Sequence, residues 1–576
     1  MNPLEIALDI YAQSHPLWAA LAVLLPLLAA ILIFIFGRRS GPLLAFAAMV
    51  GILISVSKLV AQVWMKGAQE YAVGGWIAPL GIGWYADGLS VLMLSMTAIV
   101  GSFITLYALK SKFLLTPLLQ REDLPPVSDS EQEVKLLPPP EKSSHEASSE
   151  ESKSPPEAVE NLKYPLVPAP DEKLPVPVEA SNKEAETSNS SLPFDKAGSL
   201  FLFWPLWLLL WSGLNALFLS ADLFNWFITL EIVTLAAVPL IILSGGANAL
   251  GAGMRYLLVA LSASLLYLLG VVLLYGAVGT LDVKSLALEI QSGPTIWMAM
   301  FLIILGLLTK MAVFPLHVWL PPTLFRAPAV VSALLSALVI KAAFYLLLRL
   351  WFEVFPTELL PQSSQILGVL GAIAMILGAW QALQQSRLKM LVAYSVVAQV
   401  GFLLLLFPLA SGTNEAWSLT AWKGGIYFAL SHAFAIAAMF MVVGNIWQVL
   451  GTDSLDSLRG LGRHYPTSLI TFALAGVSIV GLPPSGGFLG NWLLLTVAWK
   501  SGQWWWIGII VIGSLLAAAY IIKVLKPAFE KTDKCVLVAQ TPLLMKLVPL
   551  VLALIALVSG LVATQPLSLL EKGSPF

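Results

Sequence analysis

The sequence predicts an all-α polytopic membrane protein of about fourteen transmembrane helices, with two inverted five-helix repeats that each contain a broken helix. Three observations carry this expectation. The 576 residues are 58% hydrophobic and 11% charged, with mean hydropathy +0.84, outside the range of soluble globular domains. Apolar runs recur at about the 20-residue length that crosses a bilayer as a helix. Two of these runs, at corresponding places in successive blocks, are interrupted by Pro and Gly.

In chain order, residues 1–112 form an N-terminal three-helix segment, with runs at 16–36, 42–65 and 86–109. The first run is long and ends at Arg38 and Arg39 without a small-residue cleavage pattern, so no cleavable signal peptide is expected. Residues 113–197 read as a cytoplasmic insert rich in Pro, Glu and Ser. Within it, 121–196 hold 17 acidic and 8 basic residues and 13 prolines, with Tyr164 and Phe194 as the aromatic residues. Such a segment buries too little apolar surface to offset its ordering entropy, and disorder is expected. It is either an acidic tether for a partner or a tolerated surface insertion, since long loops cost little.

Residues 198–352 form the first five-helix repeat, with runs at 199–218, 222–243, 253–275, 295–315 and 327–350. Residues 360–535 form the second, with runs at 365–385, 390–408, 424–448, 467–498 and 504–524, and 536–576 hold a C-terminal helix at 542–563. The interruptions are FPLHVWLPP (314–322), where Pro315, Pro321 and Pro322 break the helix, and GLPPSGGFLGN (481–491). Interrupted segments at matching places in two halves point to a transporter with its path near the midplane. An odd number of spans per block makes the two blocks opposite in orientation.

Lysine and arginine near the span ends set the topology. Arg38/Arg39, Lys110/Lys112, Arg255, Arg326, Arg387/Lys389, Arg459/Arg463 and Lys523/Lys526 flank alternate loops, which places those loops in the cytoplasm and both termini outside, in a multi-pass cell-membrane protein. One cysteine, Cys535, excludes a disulfide framework, a multi-cysteine zinc site and a self-contained iron–sulfur cluster. No nucleotide loop, cofactor-ligand cluster or nucleophile constellation is present, so no cofactor, metal site or autonomous active site is expected, and nothing supports nucleic-acid binding.

The chemistry that remains is carried by polar residues inside apolar runs. A lysine near the bilayer centre costs several kcal/mol and usually lines a cavity or proton route. Lys310 and Lys341 are such residues. Glu231, in DLFNWFITLEIVTL (222–235), is the acidic residue between Asp222 and Asp282. At about 4 Å and an effective dielectric near 20, Glu231 and Lys310 would attract by roughly 4 kcal/mol, enough to hold or release a proton as the carboxylate approaches or withdraws. The alternative, less favoured, is a static ion pair that stitches two helices. Lys341 either snorkels to an interface or, as its mid-span depth favours, acts as a central relay. His432, in YFALSHAFAIAAMF (427–440), reads as a relay, while His317, in the first break beside Trp319, suits relay and packing equally. His15, His145 and His464 read as loop residues.

Six segments together carry a family resemblance: DGLSVLML (87–94), SADLFNWFITLE (220–231), TKMAVFPLHVWLP (309–321), LVIKAAFYLLLR (338–349), RLKMLVAYSVVAQVGF (387–402) and GLPPSGGFLGN (481–491). They resemble the antiporter-like membrane subunits shared by Mrp-type cation/proton antiporters and proton-pumping NADH:quinone oxidoreductase. VGGWIAPLGIGWYADGLSVLML (73–94) and LYGAVGTLDVKSLA (274–287) look closest to the Mrp D-type subunit. The resemblance implies fourteen helices in inverted repeats, Glu231 and Lys310 as the coupling pair, and Lys341 as the central lysine. It departs at Asn491, where the family usually has a lysine or glutamate, and at Ile436, where some members have a lysine. The candidate exit region is therefore Asn491 together with Lys500, nine residues further on.

The resemblance implies a subunit moving protons along a Glu/Lys/His axis in exchange for a monovalent cation such as Na+. Its partners would be other membrane subunits of a hetero-oligomer within the lipid bilayer. One alternative is a proton-pumping membrane subunit of a redox complex. Another is a non-conducting scaffold paralogue, motivated by Asn491 and Ile436.

Overall fold

The structure, a computed structural model, describes residues 17–73, 81–110, 196–356, 360–411, 417–530 and 541–576. The acidic insert expected at 113–197 lies outside the described residues except for its last two positions, and so do His15, His145 and Cys535. The described helices belong to one compact unit.

In chain order they are α1 (Leu17–Phe36), α2 (Gly41–Lys66), α3 (Gly88–Lys110), α4 (Lys196–Leu219), α5 (Leu223–Ile242), α6 (Gly246–Val278), α7 (Pro294–Lys310) and α8 (Leu320–Arg326). Then follow α9 (Ala329–Val354), α10 (Leu360–Gln384), α11 (Leu388–Ala410), α12 (Ser418–Leu450), α13 (Pro466–Val480), α14 (Gly486–Lys500), α15 (Trp505–Phe529) and α16 (Leu543–Val558). Among the described residues eleven helices are long and apolar enough to cross a membrane. Three shorter apolar helices, α7, α13 and α16, stand where three further spans are expected from the sequence. The protein is thus a largely helical, multi-pass membrane protein. Outside the helices, β1 (Gln69–Ala72) and β2 (Gly83–Ala86) form an antiparallel hairpin, with Tyr71 opposite Trp84.

Helix starts follow local capping. The Asp222 carboxylate accepts from the Asn225 N–H at 2.8 Å to open α5, and Ser485 accepts from the Phe488 N–H at 3.1 Å to open α14. Prolines inside helices leave carbonyls without their usual donors, and neighbouring helices supply replacements. Pro26 frees the Ala22 carbonyl, which accepts from Asn215 Nδ2 on α4 at 2.7 Å. Pro549 frees the Met545 carbonyl, which accepts from Asn445 Nδ2 on α12 at 2.7 Å. These polar stitches hold α1 to α4 and α16 to α12, where lipid offers no hydrophobic drive for helix association.

The centre is built from α9 and α12. The most apolar stretch of α9 is 94% buried and that of α12 is entirely buried. At 33 residues, α12 is about 50 Å long at 1.5 Å per residue. α7 packs on α6 through two glycines: a Cβ on Gly306 would stand 2.6 Å from the Ala263 carbonyl, and one on Gly270 would stand 2.7 Å from that of Ala299. That close approach brings the end of α7 over Ser264.

The first break lies three residues earlier than the sequence suggests. α7 stops at Lys310 and α8 restarts at Leu320, so Pro315 lies in the gap. Pro321 and Pro322 fall in the first turn of α8, where the missing N–H groups have no intrahelical acceptor to lose. Ala312 takes a left-handed φ of 56°, and the Trp319 indole donates to the Thr309 carbonyl at 3.1 Å across the gap. The 467–498 run likewise divides, into α13 and α14, at Gly481, whose φ is 80°.

Candidate functional site

Glu231 projects from α5 towards Lys310, the last residue of α7, with Oε1 3.7 Å from Nζ. Ser264 of α6 donates its hydroxyl to the same carboxylate oxygen, and Lys310 Nζ donates to Thr234 Oγ1 at 3.2 Å. A cation at a helix C-terminus is favoured by the negative end of the backbone dipole, which explains why the helix stops there without loss. The pair is nearly enclosed, with 9% of the lysine and 18% of the glutamate side chain exposed. Beside it lies a cavity of about 20 Å³ bounded by Thr234, Tyr256, Lys310 and Trp319, with Val339 and Ala343 of α9 on its far wall. That is room for one water molecule.

Lys341 lies on α9 between those two wall residues in sequence and is fully buried. Its ammonium nitrogen is 2.7 Å from the Ser336 carbonyl and 2.8 Å from Nδ1 of His432 on α12. The carbonyl is free for this contact because α9 widens into a π turn at Leu335–Val339, where the Ile340 N–H reaches back to Leu335. His432 Nε2 is buried with no hydrogen-bond partner among the described residues. Two basic nitrogens at this distance can share one proton, and a second would meet unscreened repulsion. The arrangement can therefore receive a proton on one side and offer one on the other.

The remaining sequence-predicted residues stand apart from these two pairs. His317 lies in the first break, buried, with its ring 5.5 Å from that of Phe314. Asn491 sits one turn into α14, pressed against Gly481. Its Nδ2 donates to Ser514 Oγ at 3.3 Å, while its Oδ1 has no partner among the described residues. A cavity of about 10 Å³ adjoins it, lined by Gln399, Ser514 and Tyr520. Ile436 is fully buried on α12. Lys500 is exposed in the last turn of α14, and no described group draws it inward.

Two polar features are not evident from the sequence. Lys389, a loop-flanking charge by its position in the chain, turns inward instead. It is 3% exposed and donates to the Ala327 carbonyl, so it helps close the α8–α9 corner. Pro328 follows that carbonyl, and the charges of Asp453 and Arg326 act on the lysine in opposite senses. The second feature is an ionic cluster at the hairpin end of α9. Arg349 NH2 donates to Asp87 Oδ1 at 2.5 Å and NH1 donates to Glu353 Oε1 at 2.5 Å, with Arg349 only 2% and Asp87 1% exposed. Burial, reinforced by the Asp87 carboxylate, pushes the adjoining Tyr85 phenol up to about 12, so it stays neutral. The four-residue spacing of Lys341, Tyr345, Arg349 and Glu353 is visible in the sequence, but Asp87, 262 positions from Arg349, is not an evident partner.

Residues 220–517, just over half of the chain, match the family described as NADH:quinone oxidoreductase/Mrp antiporter, TM. The chain is 35% identical over 335 residues to the N-type NADH-quinone oxidoreductase subunit of Desulforudis audaxviator, spanning 57% of this chain and 65% of that relative. It is 27% identical over 522 residues to the D-type Na(+)/H(+) antiporter subunit of Bacillus subtilis, spanning 89% of this chain and 87% of the relative. Its fold superposes on a chain of the Mrp complex from Dietzia sp. with TM-score 0.75 at 21% identity, covering 97% of this chain and 98% of that one. The family match, the two relatives and the shared fold agree: the chain belongs to the NADH:quinone oxidoreductase/Mrp antiporter membrane family.

Proposed function

We propose that this protein is the proton-translocating subunit of a multisubunit monovalent cation (Na+)/proton antiporter in the cell membrane, with its termini outside. What supports the reading is the presence of two buried pairs, Glu231 with Lys310 and Lys341 with His432, with Lys310 bordering a one-water cavity that α9 closes through Val339 and Ala343. A proton held on Lys310 while Glu231 is close is released when the carboxylate withdraws. The released proton passes by way of the cavity towards Lys341. In this reading all fourteen apolar segments cross the membrane, and 198–352 and 360–535 are inverted repeats whose broken helices flank the polar axis. Other membrane subunits complete the assembly, as the Bacillus antiporter relative suggests.

A second reading has a specific observation in its favour. The relative with 35% identity is a subunit of an NADH-quinone oxidoreductase. On that reading the same groups pump protons under a redox drive supplied by other subunits. The Asn491 departure supports a non-conducting scaffold only if the axis proves inert.

The test is proton flux in vesicles that hold the complete assembly, read with a pH-sensitive dye. Lys310→Ala should lower flux by about a hundredfold, the range lost when a positioned acid or base is removed. Flux at the parent level, with assembly intact, would contradict the reading. Flux that depends on a Na+ gradient and needs no electron donor would select antiport over the redox-driven alternative.

A further inference from the structure

α2 carries a lysine that nothing else in the described chain answers. Lys58 is exposed on the same face as Val50, Ile54, Ala61 and Met65, and it pairs with no described residue. It stands 17 residues, about 25 Å, from the Gly41 end of α2 and eight residues, about 12 Å, from the Lys66 end. The 26-residue helix is about 39 Å long against a hydrocarbon core of about 30 Å, so Lys58 falls inside the core. Helical side chains lean towards the helix N-terminus, here the Arg38/Arg39 end, which carries this ammonium away from the nearer surface and opposes snorkelling. A charge facing lipid at that depth is costly, and such charges are found paired or beside water.

Beside Lys58 an open groove of about 1040 Å³ separates α2 from α16. Ala61, Trp64 and Met65 form one wall, Leu554 and Val558 the other, and α3 and α12 supply the floor. Among the described residues no charged side chain lines it. The α2 wall runs from Ser57 to Met65, about 12 Å or two helical turns, and Lys58 stands at its inner end. Acidic groups of this chain near the Lys66 end are already engaged: Glu70 holds Lys284, and Glu571 accepts from Lys423.

We propose that the α2–α16 groove and Lys58 form the docking surface for a transmembrane helix of another membrane subunit, one that carries a carboxylate at the depth of Lys58. Apolar side chains of that helix fill the groove, as in other helix-in-groove contacts, and its carboxylate pairs with the ammonium. A pair removed from water attracts strongly, so it fixes both which helix docks and at what depth. A phospholipid headgroup fits less well, because its phosphate lies at the surface from which the lysine leans away. The proposal rests on the multisubunit part of the function proposed above and is independent of the proton path.

The experiment uses the tagged full chain in its native assembly. Lys58→Leu takes the charge off an exposed apolar face, and the two surroundings answer it differently. Opposite a carboxylate, the change leaves that group unpaired and should lower copurification of one membrane subunit by about tenfold or more while the yield of this chain holds. Opposite lipid alone, it relieves a cost and leaves the assembly at the parent level. Lys58→Glu should lower copurification further through like-charge repulsion. Carbodiimide treatment of the parent assembly should join the Lys58 amine to a carboxylate of the same subunit as an amide, located by mass spectrometry. A lysine placed at the located carboxylate should then restore assembly with Lys58→Glu. Full copurification of both variants, or a crosslink map without that amide, overturns the proposal. Loss of bound anionic phospholipid with every subunit retained overturns it in favour of a headgroup. In each of these cases a loss of flux in Lys310→Ala leaves the proton reading standing, whereas a parent chain that purifies with no other membrane subunit fails the multisubunit reading itself.

Discussion

The two broken helices of this protein both turn through a left-handed residue, Ala312 in the first and Gly481 in the second, and present different chemistry. In the first, the α7 end delivers a lysine to a carboxylate 3.7 Å away and to the Thr234 hydroxyl, while the Ser264 hydroxyl holds the carboxylate. In the second, the α14 start delivers an uncharged amide against Gly481, with one hydrogen bond donated to Ser514 and an oxygen left without a partner among the described residues. A break at membrane depth exposes backbone polar groups and so needs polar or packed surroundings. It does not by itself create a site that exchanges protons. The difference teaches that proton chemistry is placed by the side chain at the helix end, while the break only opens the space.

The largest contrast should appear in transport. Glu231→Gln is expected to lower proton flux by about tenfold, a barrier increase of roughly 1.4 kcal/mol. Asn491→Ala should lower it by about twofold or less, because the amide carries no titrating group. Vesicle flux measured on both variants checks this, and equal losses would erase the distinction between the two breaks.

A smaller contrast should appear in stability, with opposite signs. Gly481 and Ala312 both hold left-handed φ values, 80° and 56°. Giving Gly481 a Cβ places it 2.1 Å from Asn491 Nδ2, so Gly481→Ala should destabilise by about 1–2 kcal/mol from the left-handed backbone alone, and more from the clash. Ala312→Gly relieves the same backbone cost in the first break and should stabilise by up to about 1 kcal/mol, reduced by the extra freedom of glycine when unfolded. Thermal unfolding of the two purified variants reads both.

The smallest effect concerns neither break but the C-terminal segment, which packs against the start of α3. Lys423 at the start of α12 donates to Glu571 at 2.5 Å and holds its carboxyl below the usual carboxylate range. A group whose folded value is lowered adds stability above its unfolded value and loses it as pH falls through the folded one. Hydrogen exchange over Thr564–Leu569 should therefore quicken as pH falls through and below the carboxylate range, and Glu571→Gln should flatten that response. The pair is exposed and screened, so the change should be slight.

Much of this was legible in the chain. Run length and hydropathy placed most helices with ends within about seven residues, because a bilayer demands one nearly uniform apolar length, although the 467–498 run proved to be two helices. Glu231, Lys310 and Lys341 stood out because a charge is rare in such runs. What stayed hidden depended on contacts between distant segments. His432 meets Lys341 across 91 residues, and the Arg349 partner Asp87 lies at the start of a helix that by itself reads as a simple span. Lys389 sat where a topology-setting charge belongs, and only the α8–α9 corner reveals that its nitrogen serves a carbonyl. The hairpin of β1 and β2 was hidden because four-residue strands leave no periodic signal in an apolar chain. Pro321 and Pro322 depart from the expected break for a different reason: proline breaks a helix interior but suits its first turn.

The central claim is that Glu231 changes its bond to Lys310 as protons pass. Infrared difference spectroscopy of the reconstituted assembly, comparing resting and energised states, measures this most directly. The account predicts a protonated-carboxyl or carboxylate band that shifts between the states and disappears in Glu231→Gln. A difference spectrum identical in the parent and Glu231→Gln, recorded while protons are being transported, would contradict it.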